Sequence, residues 1–205
     1  MTPVKVLAVR YLQNVSPGLA HALGTDARCL AMLTTDCDDA TYIALDAATK
    51  AASAQVSYAR SFYAGAANAS QPYAGEVIGI LGAATPGAAR SAMEAALSAL
   101  KELGFTEYNG VSYLAHTVSS AGSFLSQEAG VPLGSALAYL IAPPLESVYG
   151  LDAALKAADV RLCRLYAPPS QTNFGGGLLT GTQSACTAAC QAFAQAVEEV
   201  ARFPK

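Results

Sequence analysis

Apolar runs alternate with Ala- and Leu-rich blocks along the chain, and the order of these elements occurs twice. Runs rich in Val and Leu predict strands, and Ala-rich blocks without Gly or Pro predict helices. In the first half, strands are predicted at 4–12, 29–34, 55–62 and 76–82, and helices at 17–23, 39–52 and 85–103. In the second half, strands are predicted at 111–118, 136–142, 160–166 and 174–181, and helices at 121–129, 145–158 and 183–202.

One helical block occurs almost unchanged in both halves. Residues Leu45–Ala52 read LDAATKAA and Leu151–Ala158 read LDAALKAA, so seven of eight letters match about 106 positions apart. A period near 100 residues is the size of a domain, which indicates a duplicated domain rather than a solenoid. We therefore predict two domains, 1–105 and 106–205, each a compact α/β or α+β sandwich with helices on one sheet. In each block an aspartate precedes a lysine by four positions, which predicts a weak ion pair on one helical face.

The chain is poor in charge. Charged residues make up 13% of it, against roughly 25% in ordinary soluble domains, whereas hydrophobic residues make up 53%. A monomer would need more charge to cover its surface, so we expect extensive contact between subunits. A net charge of −3 without a basic patch argues against nucleic-acid binding.

Membrane insertion is a competing explanation for the low charge. Every apolar run is broken by Gly, Pro or polar residues well short of the roughly 18 positions that a spanning helix needs. The start of the chain lacks the pattern of a signal peptide, so we expect a cytoplasmic protein. The five cysteines lack metal-binding spacing and are expected to be free thiols, with Cys186 and Cys190 as small core residues.

Acidic residues are concentrated in one short stretch. Asp36, Asp38 and Asp39 lie together, and Glu76 begins a later strand. Carboxylates that line a cavity attract a small cation such as an ammonium through charge-assisted hydrogen bonds. Two alternatives remain open: Asp38 or Asp39 caps the following helix, or the cluster holds a divalent metal, although no EF-hand or His pair supports a metal site.

Three classes of function compete. The sequence contains no nucleophile elbow, no zinc-protease helix motif and no phosphate-binding loop. A structural role is expected for the two histidines, His21 and His116, rather than a catalytic one. An enzyme is therefore not expected, and neither is a cofactor. A metabolite-sensing oligomer is the alternative to a structural protein, because small duplicated domains often bind ligands between subunits.

Several segments carry a family signature. LDAALKAADVRL from Leu151 is followed by a loop, a Gly-rich strand and an Ala-rich helix, and the first half contains TDCDDATYIALDAATKAA and AGEVIGILG. These segments resemble the bacterial microcompartment shell domain in its circularly permuted tandem form, specifically the ethanolamine-utilisation type. The resemblance implies two small, mainly antiparallel sheets with helices. It also implies a homotrimer that mimics a hexagon and tiles with other shell proteins in the microcompartment shell.

The resemblance also implies roles for particular residues. Asp38, Asp39, Glu76 and Phe105 match the positions that bind a small polar metabolite, the amino alcohol ethanolamine. Lys50 and Lys156 match lysines that contact neighbouring tiles, with ordinary solvated lysines as the alternative. Pores for small metabolites are expected, and the uncharged loop at 166–174 is a candidate part of a gate.

Overall fold

Two compact units make up the part of the chain that the computed structural model describes, residues 1–63, 75–168 and 170–203. The first, called the N-unit, comprises Pro3–Gly104 and Gly122–Leu125. The second, called the C-unit, comprises Met1–Thr2, Phe105–Ala121 and Ser126–Lys205. The small residues at 64–72 (AGAANASQP) predict a loop, and this segment lies outside the described residues.

The N-unit is built on a four-stranded antiparallel sheet in the order β2-β3-β5-β4. Its elements are β2 (Val6–Leu12), α1 (Pro17–Ala22), β3 (Cys29–Thr35), α2 (Asp38–Ala51), β4 (Ala54–Ser61), β5 (Val77–Ala83) and α3 (Pro86–Leu100). Helices α2 and α3 pack on each other and on the sheet. A Cβ at Gly79 would lie 2.7 Å from Leu45 Cδ1, so glycine at this position lets α2 approach the sheet closely. Val15 and Ala20, beside and within α1, pack with Leu30 of the sheet.

The C-unit is built on a six-stranded sheet in the order β1-β6-β7-β8-β10-β9. Its elements are β1 (Thr2–Pro3), β6 (Gly104–Tyr108), β7 (Val111–Val118), α4 (Ser123–Ala129), β8 (Ala136–Ala142), α5 (Pro144–Ala157), β9 (Val160–Tyr166), β10 (Gly175–Gly181) and α6 (Gln183–Arg202). Three of these elements, β1, β6 and α4, share residues with the N-unit. A Cβ at Gly150 of α5 would lie 2.7 Å from Phe193 Cδ2 of α6. Glycine at this position therefore lets the two helices pack closely.

The predicted class of fold, mainly antiparallel sheets with helices, is confirmed, and most element boundaries agree within three residues. Cys186 and Cys190 lie in the core of the C-unit, as expected. One strand is missing from the predicted elements. No strand is predicted between 103 and 111, whereas Gly104–Tyr108 forms β6 and pairs with β7. Asn109 and Gly110 have positive φ angles of 48° and 80°, which suit the tight turn of a hairpin.

The sequence repeat extends to details of the backbone. The N–H of Val15 donates to Arg28 O at 2.9 Å, and that of Ala121 donates to Ser135 O at 2.8 Å. Helix α1 is followed by Gly24 with a φ angle of 69°, and α4 ends before Gly130 with a φ angle of 63°. The segments around α1 and α4 are therefore equivalent at a separation of 106–107 residues.

Candidate functional site

The acidic turn joins β3 to α2 in the N-unit. Asp38 and Asp39 are the first two residues of α2 and are buried, with 7% of each accessible to solvent. The N-cap position belongs to Cys37, whose side chain makes no capping hydrogen bond. No aspartate therefore occupies the N-cap position, although within the first turn Asp38 Oδ1 accepts the N–H of Asp39 at 2.9 Å. Asp36, just before the helix, is held instead by the backbone N–H of Lys5, which donates to its Oδ1 at 2.7 Å.

Pairing of β3 with β5 brings Glu76 to the acidic turn. The N–H of Glu76 donates to Thr35 O at 2.9 Å, one residue before the turn begins. On its other side, the N–H of Phe62 donates to Glu76 O at 2.9 Å. Two segments that are about 40 positions apart along the chain therefore place carboxylates side by side. Of the four predicted ligand residues, the structure brings Asp38, Asp39 and Glu76 together in the N-unit.

The carboxylates perturb one another. Burial raises the pKa of Glu76 to about 7, and the neighbouring charges of Asp38 and Asp36 add to the rise. Burial also raises the pKa of Asp38, against the opposing effect of a hydrogen bond from Ser61. Ionising these carboxylates is therefore unfavourable in free energy. A cation placed among them would make their ionised forms more favourable.

Sequence reasoning missed two hydroxyl groups at this site. Tyr42 Oη and Ser61 Oγ lie 2.5 Å apart, and Ser61 also bonds to Asp38. Burial raises the pKa of Tyr42 to about 12, so it stays protonated and able to donate. Tyr42 lies one helical turn after Asp38, which is a spacing that could have drawn attention to it. Ser61, at the end of β4, gave no comparable signal.

Phe105, the fourth predicted ligand residue, belongs to the C-unit. It lies in β6, and its ring packs edge-on against that of Phe174, with 5.3 Å between the ring centroids. Phe174 closes the loop that we nominated as part of a gate. In that loop the N–H of Ser170 donates to Phe174 O at 2.7 Å.

The two predicted Asp–Lys pairs are confirmed, but their surroundings differ. Lys50 Nζ lies 3.4 Å from Asp46 Oδ2, and the Asp46 side chain is completely buried. Lys156 Nζ lies 2.5 Å from Asp152 Oδ2, and both of these side chains are largely exposed, at 74% and 61%. Both lysines lie in the last turn of their helices.

The described residues give no sign of two other kinds of site. Among them, no three His, Cys, Asp or Glu side chains are arranged to hold a metal ion. None of the helices in the described ranges combines the length and apolar character that crossing a membrane requires.

Comparison with known proteins gives close relatives. The chain is 55% identical over 205 residues to the bacterial microcompartment shell protein EutL of Clostridium perfringens, covering 97% of this chain and 94% of the relative. It superposes on the crystal structure of the ethanolamine utilization protein EutL from Leptotrichia buccalis with a TM-score of 0.95 and 54% identity, covering 99% of this chain and 96% of that one.

A more distant structure has the same fold. The trimeric bacterial microcompartment shell protein PduB superposes with a TM-score of 0.81 at 20% identity, covering 96% of this chain and 89% of that one. No family model matches the chain.

Proposed function

The chain belongs to the EutL family of bacterial microcompartment shell proteins, and on this premise we propose that it forms a homotrimeric tile that binds a small amino alcohol. The Clostridium perfringens relative is named as a shell protein, which confirms the expectation of a structural protein rather than an enzyme. This chain is accordingly a component of a microcompartment shell.

The surface of the chain supports assembly. Large apolar side chains of the C-unit are exposed, among them Leu133 (72%), Leu145 (80%) and Leu165 (52%). Together with the low charge, they favour burial between subunits. We propose that three copies of domains 1–105 and 106–205 form a tile of six similar parts. Light scattering should then give three times the chain mass of 20.9 kDa.

Contact between tiles is assigned to Lys50 and Lys156, following the resemblance. Each lysine forms an ion pair with an aspartate of its own helix, and this pair restricts the conformations of the lysine side chain at the surface. Lys50→Ala and Lys156→Ala should prevent sheets in electron micrographs while leaving trimers intact. Wild-type trimers that bind a ligand but never form sheets with any shell protein would instead indicate a sensing oligomer.

The ligand is assigned to the acidic turn, and one observation carries the assignment. The hydrogen bond from Glu76 N–H to Thr35 O joins the two segments that bear the carboxylates. An ammonium carries a positive charge and three hydrogen-bond donors, so it can bind several carboxylates of this cluster at once. A hydroxyl of the same molecule can exchange hydrogen bonds with the hydroxyls of Tyr42 and Ser61. A small amino alcohol such as ethanolamine meets both requirements.

Calorimetric titration with ethanolamine tests this assignment. Glu76 must lose its proton to attract the ammonium, so a pKa of about 7 predicts roughly tenfold tighter binding at pH 8 than at pH 6. Glu76→Gln should weaken binding and remove this pH dependence, and Asp38→Asn should weaken binding at both pH values. Glu94→Gln, at an exposed position of α3, is the matched control. Unchanged affinity in Glu76→Gln would refute the site.

Phe105 needs a separate test. The resemblance assigns it to the same ligand, whereas its observed contact is with Phe174. We propose that Phe105→Leu weakens ethanolamine binding while trimers persist. The same affinity as in the wild-type protein would remove Phe105 from the site and leave the carboxylates in it.

A further inference from the structure

Two hydroxyl groups of the N-unit are hydrogen-bonded one after the other to the Asp38 carboxylate. Tyr42 Oη lies 2.5 Å from Ser61 Oγ, and Ser61 Oγ in turn bonds to Asp38. Tyr42 follows Asp38 by four residues on α2, and Ser61 is the last residue of β4. Because α2 packs on β4, helix and strand bring the three side chains together. We call Tyr42 and Ser61 the hydroxyl pair.

The number of hydrogens fixes the direction of these two bonds. A serine hydroxyl has one hydrogen to donate, and an ionised carboxylate can only accept. Ser61 therefore gives its hydrogen to Asp38, so Tyr42 is the donor in the bond between the two hydroxyls. Burial raises the pKa of Tyr42 to about 12, so the phenol keeps the hydrogen that this bond requires. Hydrogen bonds that follow one another in this way strengthen each other.

The ring of Tyr42 is held by a segment that is itself fixed to α2. Its centroid lies 5.8 Å from that of Phe124, which belongs to Gly122–Leu125. Asp46 Oδ2 accepts the N–H of Gly122 at 2.7 Å, and Asp46 Oδ1 accepts the N–H of Leu125 at 2.8 Å. The side chains of Asp46 and Leu125 are completely buried. The phenol that begins the two hydrogen bonds is therefore in a fixed position.

The second half of the chain forms the equivalent helix and strand without these polar groups. At a shift of 106 residues, the counterparts of Asp38, Tyr42 and Ser61 carry neither a hydroxyl nor a carboxylate: Pro144, Val148 and Ala167. The shift holds for the strands, because β4 and β9 each have an irregular register at the matching residue, Ser57 or Cys163. Helix and strand therefore do not need the hydroxyl pair to fold, which favours a role for the pair in the acidic site.

We propose that Tyr42 and Ser61 are positioning residues, which hold the Asp38 carboxylate in one orientation for the ammonium group of the ligand. Tyr42 acts on Asp38 through Ser61. A carboxylate that is already held in place loses less conformational freedom when it binds, so the ligand is bound more tightly. This inference rests on the proposed function, which assigns Asp38 to the ligand, and goes further by naming the groups that orient it.

Titration of Asp38 without any ligand tests the hydroxyl pair directly. NMR spectra of protein with isotope-labelled aspartate follow its carboxyl group against pH, and the signal is identified by its loss in Asp38→Asn. Ser61→Ala removes a donor to the ionised carboxylate and should raise the pKa of Asp38. Tyr42→Phe should raise this pKa less, and adding it to Ser61→Ala should change nothing further. The other carboxylates of the site are the same in all three variants: Asp36, Asp39 and Glu76.

Calorimetric titration with ethanolamine measures the consequence for binding. Ser61→Ala should weaken binding by about tenfold, as expected for a lost hydrogen bond to a charged group, and Tyr42→Phe by about threefold. Ser61→Thr, which keeps a hydroxyl, should recover most of the affinity that Ser61→Ala loses. Tyr58→Phe removes a tyrosine hydroxyl from the same strand, outside the acidic site, and is the matched control with unchanged affinity. Tyr42→Phe keeps the ring beside Phe124, and circular dichroism should show folded protein.

The two measurements separate this inference from the proposed function. Wild-type protein that does not bind ethanolamine would overturn the proposed ligand, and the titration of Asp38 would then decide on the hydroxyl pair alone. If the wild-type protein binds ethanolamine and Ser61→Ala and Tyr42→Phe bind it equally well, this inference is overturned and the acidic site stands. An unchanged pKa of Asp38 in Ser61→Ala would overturn it too, as would additive effects of the two substitutions on that pKa.

Discussion

Removing the carboxylate of Asp46 tests how the N-unit is held together. Asp46→Ala leaves the N–H groups of Gly122 and Leu125 buried without an acceptor. An unsatisfied buried donor costs about 1–3 kcal/mol, and Lys50, which is partly exposed, recovers hydration when its partner is lost. We therefore expect the free energy of unfolding to fall by about 3 kcal/mol. For a chain of this size that corresponds to a Tm lower by about 6–12 °C.

Thermal unfolding followed by circular dichroism would measure this loss. All variants must be compared at one protein concentration, because association also raises Tm. Asp46→Asn should fall between wild type and Asp46→Ala, since its amide oxygen can still accept one of the two N–H groups. Asp159→Ala, which removes an exposed carboxylate, should change the free energy of unfolding by no more than about 0.5 kcal/mol. A Tm for Asp46→Ala within about 2 °C of wild type would refute the argument.

Three further outcomes are expected. The pKa of Glu76 is raised to about 7 from an ordinary 4.5, so the native state binds more protons than the unfolded chain between these pH values. The free energy of unfolding should therefore fall as the pH rises from about 4.5 to about 7. Glu76→Gln should make this pH dependence smaller in urea titrations. Tyr113→Phe loses a 2.6 Å hydrogen bond to Glu198 and should lower the free energy of unfolding by about 1 kcal/mol, measured by urea unfolding. Gly176→Ala would place a Cβ 1.9 Å from a backbone oxygen of the neighbouring strand and should lower the free energy of unfolding by about 3 kcal/mol or more. Gly87→Ala, with open space around it, should be neutral or slightly stabilising in the same assay.

Much of the fold followed from local patterns. Ser16 followed by Pro17 is typical of a helix start and agrees with the helix predicted from 17, and the Ser16 side chain caps α1. The repeated LDAA block predicted two equivalent helices, because helix propensity and four-residue spacing act within one segment. Strand β6 was missed because the residues Gly104–Tyr108 lack a run of Val and Leu and form a strand by pairing with β7 across the turn at Asn109–Gly110. The ligand roles of Asp38, Asp39, Glu76 and Phe105 stay predictions.

Only the tertiary structure decided how identical residues are used. Asp46 and Asp152 occupy the same place in the same motif, yet one is buried against backbone donors and the other is exposed beside Lys156. Likewise, Glu76 meets the acidic turn only because β5 pairs with β3, and that meeting raises its pKa. The sequence by itself determined the repeat, the helices and the positions of the acidic residues, since these depend on neighbours along the chain. Burial and charge coupling depend on segments that are far apart along the chain, so they are set by the fold.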